Sequence, residues 1–195
     1  MPLGANKAAI MGVAGVSAAG DAVLITESAF TNQTNVSFTS QFTSTYQEYI
    51  IGIYMINPAT DGAELTFNGS IDGGSNYNVE KTSNYFYSQH AALDSSSIAY
   101  RPAGDIAAGT GYQSIMTDGG NAAAESGSLI MHLWNPASTV YVKHFNVRAA
   151  VMTPDLDAYD TYVSGYFNTA SAMDAFDFKM SAGNFDGTIK IWGVK

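Results

Sequence analysis

The sequence contains no cysteine. Disulfide bonds, thiol catalysis and thiolate metal ligands are therefore excluded, whereas the redox compartment stays open because either kind of compartment tolerates the absence. Phosphate-binding glycine loops and the nucleophile motif Gly-X-Ser-X-Gly are also missing. Because the chain has no recognisable catalytic constellation, we expect a protein that is not an enzyme and that uses no metal or cofactor.

Charged side chains are few. Asp, Glu, Lys and Arg make up 13% of the chain, about half of the roughly 25% of an average soluble domain. The formal net charge is −9, and the eight Lys and Arg residues are scattered. Such a chain cannot neutralise a phosphate backbone, so nucleic acid and anionic membranes are poor partners. A weakly charged surface suits contact with protein or sugar, since few charges need to be desolvated.

Long apolar runs are missing as well. No stretch approaches the roughly 18–20 apolar residues that span a membrane. The start of the chain, MPLGANKAAIMGVAGVSAAG, imitates a weak secretory signal but lacks a leucine-rich run and is interrupted by Gly12 and Gly15. We therefore predict no signal peptide. Because a Gly/Ala-rich terminus orders only when something ties it down, we expect residues 1–20 to form an extended anchoring arm against a partner chain.

What the chain does contain is a succession of short runs rich in aromatic and β-branched residues, with almost no helical periodicity. Asp-Gly pairs, a strong turn signal, lie near the ends of several runs. We predict an all-β fold over residues 21–195, an antiparallel β-sandwich of jelly-roll type. The predicted strands are 22–26, 35–39, 46–56, 63–71, 77–89, 112–116, 128–134, 139–151, 159–168, 175–180 and 188–194.

The motif Asn-Pro-Ala followed by a hydroxyl residue occurs twice, at 57–60 and 135–138. Proline lacks an amide donor and pushes the preceding residue out of the helical region, so each motif predicts a strand end entering a hairpin turn. Two related hairpins fit a jelly roll. In each turn we expect the side chain of Asn57 or Asn135 to bond the local backbone.

Three histidines are the candidates for metal or acid–base chemistry. His90 opens a long loop, whereas His132 and His144 lie in the strands that flank the second hairpin. A four-residue turn would place His132 opposite Tyr141 and His144 opposite Leu129, so the two strand histidines would not face each other. We therefore favour ordinary sheet residues over a metal triad.

Segment 90–111 breaks the regular spacing of strands. It is far longer than a usual connection, so we interpret it as a functional loop or a packed excursion, with a short helical turn around 103–108. Strand 49–56 is apolar on both sides, which predicts a central strand covered on both faces. In strand 175–180, Asp177 and Lys179 alternate with apolar residues, which predicts one face in water.

Two clusters remain open to more than one interpretation. Asp155, Asp157 and Asp160 begin like an oxygen-ligand calcium loop, but the glycine and terminal glutamate of an EF-hand are missing, so a solvated acidic turn is the alternative. Tyrosines cluster at 85–87 and at 159–166. They fit sugar binding or a subunit interface, or the ordinary preference of strands for aromatic residues.

Taken together, several segments resemble a group of small virion surface proteins, fibre-like or decoration-like, from tailed, notably marine, bacteriophages. The resemblance covers nearly the whole chain and implies a β-sandwich displayed on a phage particle, without catalysis and often as a trimer. It carries no functional residues. The segments are FTSQFTSTYQEYIIGIYMINPAT, GTGYQSIM, GSLIMHLWNPASTVYVKHF and FKMSAGNFDGTIKIWGVK.

The resemblance leads us to expect a homo-oligomeric protein of the virion surface, made in the host cytoplasm and joined to other capsid or tail proteins by its arm. A capsid decoration (cement) role is the leading hypothesis because no coiled coil or repeated shaft is present. A tail-fibre or receptor-binding protein that contacts host glycan is the alternative. A carbohydrate-binding module outside a particle is a third possibility, for which no linker or neighbouring enzyme argues.

Overall fold

Strands make up the regular structure of residues 22–195, the part of the chain that this computed structural model describes. The predicted arm, residues 1–20, lies outside the described residues. Within residues 22–195 there is no helix that could cross a membrane. The strands are β1 (Ala22–Gln33), β2 (Val36–Phe38), β3 (Glu48–Pro58), β4 (Ala63–Ser70), β5 (Lys81–His90), β6 (Ser96–Tyr100), β7 (Gln113–Gly119), β8 (Gly127–Trp134), β9 (Lys143–Met152), β10 (Ala158–Phe167), β11 (Ala175–Met180) and β12 (Phe185–Val194).

Two antiparallel sheets form a sandwich. The larger has the order β1-β12-β3-β8-β9-β10-β5-β6 and the smaller the order β2-β11-β4-β7. Four nested pairs, β1 with β12, β2 with β11, β3 with β8 and β4 with β7, link early strands to late ones. Nested pairing that alternates between two sheets is the topology of a jelly roll. The predicted all-β jelly-roll sandwich is confirmed.

Two excursions enlarge the first sheet beyond this eight-strand frame. β5 and β6 come between β4 and β7 in the chain, and β9 and β10 come between β8 and β11. β10 pairs with β5 over ten consecutive residue pairs, which joins the excursions into one sheet. Part of segment 90–111 is therefore β6, an edge strand paired with β5. The helical turn predicted around 103–108 was wrong, because that stretch is a non-helical turn that crosses to β7.

Aromatic side chains fill the space between the sheets. Phe67 on the smaller sheet packs edge-on against Phe145 and Phe167 on the larger, at ring-centroid distances of 5.1 and 5.7 Å. Phe176 continues the cluster at 5.9 Å from Phe167. All four rings are buried, and each contributes on the order of 1.5–3 kcal/mol through loss of exposed apolar area.

Strand β3 is central, as predicted, but only one of its faces is fully buried. Met55 has a positive φ of 53° and lies in a bulge between Ile53 and Ile56. An extra residue in a strand reverses the alternation beyond it. Met55 consequently points to solvent while Ile56 is buried. Met55 and Ile56 therefore lie on the faces opposite to those predicted, and the second face, with Ile50 and Tyr54, is only partly covered by the chain itself.

The outer side of β11 is also not as predicted. Asp177 is 2% exposed, because β2, the residue before it and the segment before β7 cover it. Its carboxylate accepts hydrogen bonds from Asn35 (2.7 Å), Ser37 (2.5 Å) and the Tyr112 hydroxyl (2.9 Å). Lys179 lies over the Tyr112 ring. A charge surrounded by three donors can be buried at little cost, so the alternation of Asp177 with phenylalanines did not indicate a wet face.

The two Asn-Pro motifs play different structural roles. After Asn57 the chain crosses from β3 in one sheet to β4 in the other, so this motif does not close a hairpin. The Asn57 amide donates to the carbonyls of Ala122 (3.0 Å) and Glu125 (2.6 Å), which are remote in sequence. Asn135 does begin a hairpin, but its contribution is a left-handed φ of 46°. The predicted hydrogen bond from the side chain to the local backbone is therefore wrong for Asn57. The Asn135 side chain makes no hydrogen bond with any residue of 22–195.

We expect Asn57→Ala to lower the free energy of unfolding by about 1–3 kcal/mol, because two carbonyls lose their donor. Asn135→Gly should change it by no more than about 0.5 kcal/mol, since glycine adopts positive φ readily. Urea unfolding of both variants measures the difference. Equal stability of the two variants would contradict the assigned role of Asn57.

Two lysines are fully buried beside the aromatic cluster. The Lys81 ammonium donates to the carbonyls of Val79 (3.1 Å) and Gly111 (2.5 Å) and lies over the Phe167 ring. Lys143, on the other side of Phe167, donates to the carbonyls of Tyr141 and Thr169. Neither pairs with a carboxylate among residues 22–195. Burial lowers the pKa of Lys81 to about 8.

This lowered pKa predicts a pH-dependent stability. Between about pH 8 and the pKa of about 10.4 of an unfolded lysine, the unfolded chain binds more protons than the folded one. The desolvation penalty of Lys81 is therefore present in full below pH 8 and is relieved as the pH rises. The free energy of unfolding of the wild type, relative to that of Lys81→Met, should rise by about 1–3 kcal/mol between pH 7 and pH 10. Urea unfolding of both proteins at each pH measures the gain, and a constant difference would contradict it.

Candidate functional site: the outer face of the larger sheet

The larger sheet turns one face away from the smaller sheet, and we call it the outer face. Strand β9 shows how the sequence creates it, because its residues alternate strictly between buried and exposed. Its outer-face residues are His144, Asn146, Arg148, Ala150 and Met152. Alternation of period two separates a core face from a solvent face along every strand.

Strand registers align outer-face residues into rows that run across the strands. One row, the central ridge, contains Ile130 of β8, Arg148 of β9, Tyr162 of β10 and Phe86 of β5. Directly opposed residues of neighbouring strands are close enough for their side chains to interact. The central ridge is consequently a continuous line of large side chains.

The central ridge is held together by stacking and by one ion pair. The rings of Tyr162 and Phe86 are parallel within 4°, with centroids 4.8 Å apart. Arg148 covers the other side of the Tyr162 ring and donates two hydrogen bonds, of 3.0 and 2.8 Å, to Asp160. Tyr162 donates to the same carboxylate. The bonds from Arg148 lower the pKa of Asp160, so the two charges balance on the ridge.

On one side of the central ridge lies the wide groove, a shallow concavity of about 650 Å³. Its floor consists of small residues, among them Ser88, Ser128 and Ala150. Tyr54 borders it and lies along β3, with its hydroxyl end over Gly52. A larger side chain at position 52 would displace that ring. The wide groove is therefore open and largely apolar.

On the other side of the central ridge lies a second concavity of about 490 Å³, which we call the amide groove. Its floor is the row of Asn146, Ser164 and Asn84 on β9, β10 and β5. The next row, with Trp134, His144 and Tyr166, forms its far wall. Every side chain in this floor is polar and uncharged.

The predicted register of the β8–β9 hairpin was wrong. The connection is residues 135–142, which is twice the length expected. Asn135 adopts the left-handed region, and the Ser138 hydroxyl accepts hydrogen bonds from two backbone amides. Together they form a wider loop. His132 is opposite Asn146 and His144 is opposite Tyr166. Both histidines consequently lie on the outer face, and they are not opposite each other, as expected, although the register behind that expectation was wrong.

The histidines take different partners within that face. The His132 ring contacts the Glu48 carboxylate and stacks on Trp134 at 5.8 Å. The His144 ring lies 6.2 Å from that of Tyr166. His90 pairs with exposed Asp94 at 3.5 Å. Nowhere in residues 22–195 do three His, Cys, Asp or Glu side chains converge as metal ligands would.

Two of the three aspartates of the candidate calcium loop, Asp157 and Asp160, bond to different partners. Asp160 belongs to the central ridge. Asp157 accepts hydrogen bonds from Gln89 (2.8 Å) and from the backbone of Ala92 (2.9 Å), so it fastens the loop after β5. The arrangement favours the alternative interpretation, an acidic turn with structural contacts.

The two tyrosine clusters of the sequence are brought together, because β5 pairs with β10. Tyr87 stacks on Tyr159 at 5.2 Å on the inner side, and Phe86 stacks on Tyr162 on the outer side. Sequence reasoning missed the floor of the amide groove. Asn84, Asn146 and Ser164 carry no motif, and only the strand registers place them side by side.

Comparison with known proteins adds no relative: none of the family models, curated proteins or solved structures compared with the chain matches it.

Proposed function

We propose that the chain is a non-enzymatic structural protein of a bacteriophage virion, and that its role is that of a capsid decoration protein. We propose that it assembles as a homo-oligomer, with a trimer favoured. Two considerations support the proposal. The first is the resemblance of its segments to small phage surface proteins. The second is an analogy of fold, since jelly rolls serve as viral capsid domains and as lectin domains.

The observation that carries the proposal is the edge formed by β1. This strand is twelve residues long, ends the larger sheet and pairs with β12 alone among the described strands. It contains a single charged residue, Glu27, and no proline or lysine, although register shifts near residues 25 and 31–32 interrupt its pairing with β12. An edge that is poor in charge and free of proline is a template for pairing with another chain. A neighbouring copy or a capsid protein would extend the sheet at this edge.

The position of β1 also connects this edge to the arm. Residues 1–21 immediately precede β1 in the sequence, so a partner that binds the part of the arm next to β1 would lie close to this edge. Leu24, 49% exposed, adds an apolar contact on the outer face of the same strand. Exposed apolar surface next to an edge that pairs with no further described strand favours contact with protein.

Deleting residues 2–18 should leave a folded sandwich that no longer joins particles or its own oligomer. The expectation of a retained fold has a physical reason, because the buried core of residues 22–195 is built from Phe38 onward. Circular dichroism, gel filtration and incorporation into particles give the three readouts. A Gly/Ser segment of equal length is the matched control, and normal incorporation of either variant would contradict attachment through the arm.

A tail-fibre or receptor-binding protein is the second candidate. The grooved outer face favours it, because aromatic walls and polar uncharged floors suit a ligand with both apolar and hydroxyl groups. The two candidates differ in how many copies a particle needs.

Copy number should be comparable with that of the major capsid protein, because a cement protein occupies a lattice. Quantitative gel densitometry of purified particles measures the ratio, with a tail protein in the same lane as the internal reference. A ratio close to that of the tail protein would contradict the decoration role and favour the receptor-binding candidate.

A further inference from the structure

We infer that the amide groove is a binding site for a neutral sugar ring, the pyranose unit of an uncharged glycan. The inference goes beyond the proposed function, since it concerns the isolated chain and does not depend on where the protein sits on a particle. It rests on the shape, the hydrogen-bonding groups and the charge of the groove.

The shape is suitable for one or two sugar rings. The concavity of about 490 Å³ lies within the range of about 300–1,000 Å³ that is usual for small-molecule sites. Trp134 and Tyr166 line it on the side away from the central ridge. Tyr166 is 36% exposed. The apolar C–H face of a pyranose packs on such rings, which combine an apolar body with a polar tip.

The floor offers hydrogen-bonding groups that the protein does not use. Ser164 donates from its hydroxyl (3.0 Å) and its backbone amide (3.3 Å) to the Asn84 side-chain oxygen. These bonds fix the amide and leave both hydrogens of its nitrogen for a ligand. The side chain of Asn146, one strand from Ser164 and two from Asn84, is exposed and bonds no other group among residues 22–195. Two amides supply donors and acceptors at once, as neighbouring sugar hydroxyls require.

The charge of the groove argues for a neutral ligand. Its lining contains no Lys, Arg, Asp or Glu, and His144 is its only basic side chain. The neighbouring ion pair of the central ridge, Arg148 with Asp160, is bidentate and internally balanced. His132, which is opposite Asn146, has its own carboxylate partner in Glu48. An acidic sugar would find no unpaired cation, and the chain as a whole carries a formal charge of −9 that repels it.

The wide groove is larger but chemically less suited to a sugar. Ala150 and Ala158 form much of its floor, and its one guanidinium and one nearby carboxylate satisfy each other. It presents few unpaired donors for hydroxyl groups. The two grooves lie on the same sheet, so residues of the wide groove serve as matched controls.

The test begins with the full chain, multimerised through a tag, on an array of neutral, sialylated and sulfated glycans. We expect binding to neutral glycans and none to the acidic ones. The best neutral oligosaccharide is then titrated while tryptophan fluorescence is followed. Trp134 and Trp192 are the only tryptophans, so Trp192→Phe should retain the signal and Trp134→Phe should lose it.

Asn146→Ala and the isosteric Asn146→Asp should each weaken binding at least tenfold, whereas Ser128→Ala in the wide groove should leave it unchanged. Asn146 is exposed, so both variants should unfold at the wild-type temperature, which thermal denaturation checks. Three results would overturn the inference: no neutral glycan on the array binds, acidic glycans bind more tightly than neutral ones, or both Asn146 variants bind with wild-type affinity. Failure of incorporation into particles would refute the proposed function and leave this site untouched.

Discussion

The pairing of β10 with β5 is the interaction on which the outer face depends. It joins two excursions that leave the jelly-roll frame at separate places in the chain, and it does so through ten consecutive residue pairs without a bulge. Without it, β9 and β10 would end the sheet as a hairpin, and β5 and β6 would be a second one. Isolated hairpins are marginally stable in water. The ladder therefore makes one broad sheet out of two weak units.

An unbroken register has a second consequence, because it decides which side chains stand next to each other. A shift by one residue between β10 and β5 would send Tyr162 inward and Val163 outward. The buried faces prevent such a shift, since Val163 and Phe167 have places in the core. Packing between the sheets thus aligns the rows of the outer face. The grooves lie where small residues occupy a row and the ridge lies where large residues do.

The sequence was sufficient for the fold class and for most strands, because alternation and turn residues are local signals. It was insufficient wherever the outcome depended on contacts between distant segments. Asp177 is buried by donors from β2 and from the loop before β7, and no local pattern announces them. The β8–β9 register failed because Ser138 widens its loop. The amide groove could not be predicted for the same reason, since only pairing through β10 places Asn84 and Asn146 in one row.

The proposed assembly edge and the proposed sugar site are far enough apart to operate together. Four strand spacings separate β1 from β9 in the larger sheet, which is about 19 Å at roughly 4.8 Å per step. A partner strand added beyond β1 extends the sheet away from the amide groove. A copy held on a lattice through its arm and β1 would therefore still present Asn84, Asn146 and Ser164 to solution. In this arrangement β1 of the jelly-roll frame contacts the particle, whereas the excursion strands β5, β9 and β10 contact the glycan. Attachment to a particle and contact with glycan therefore need not compete for the same surface.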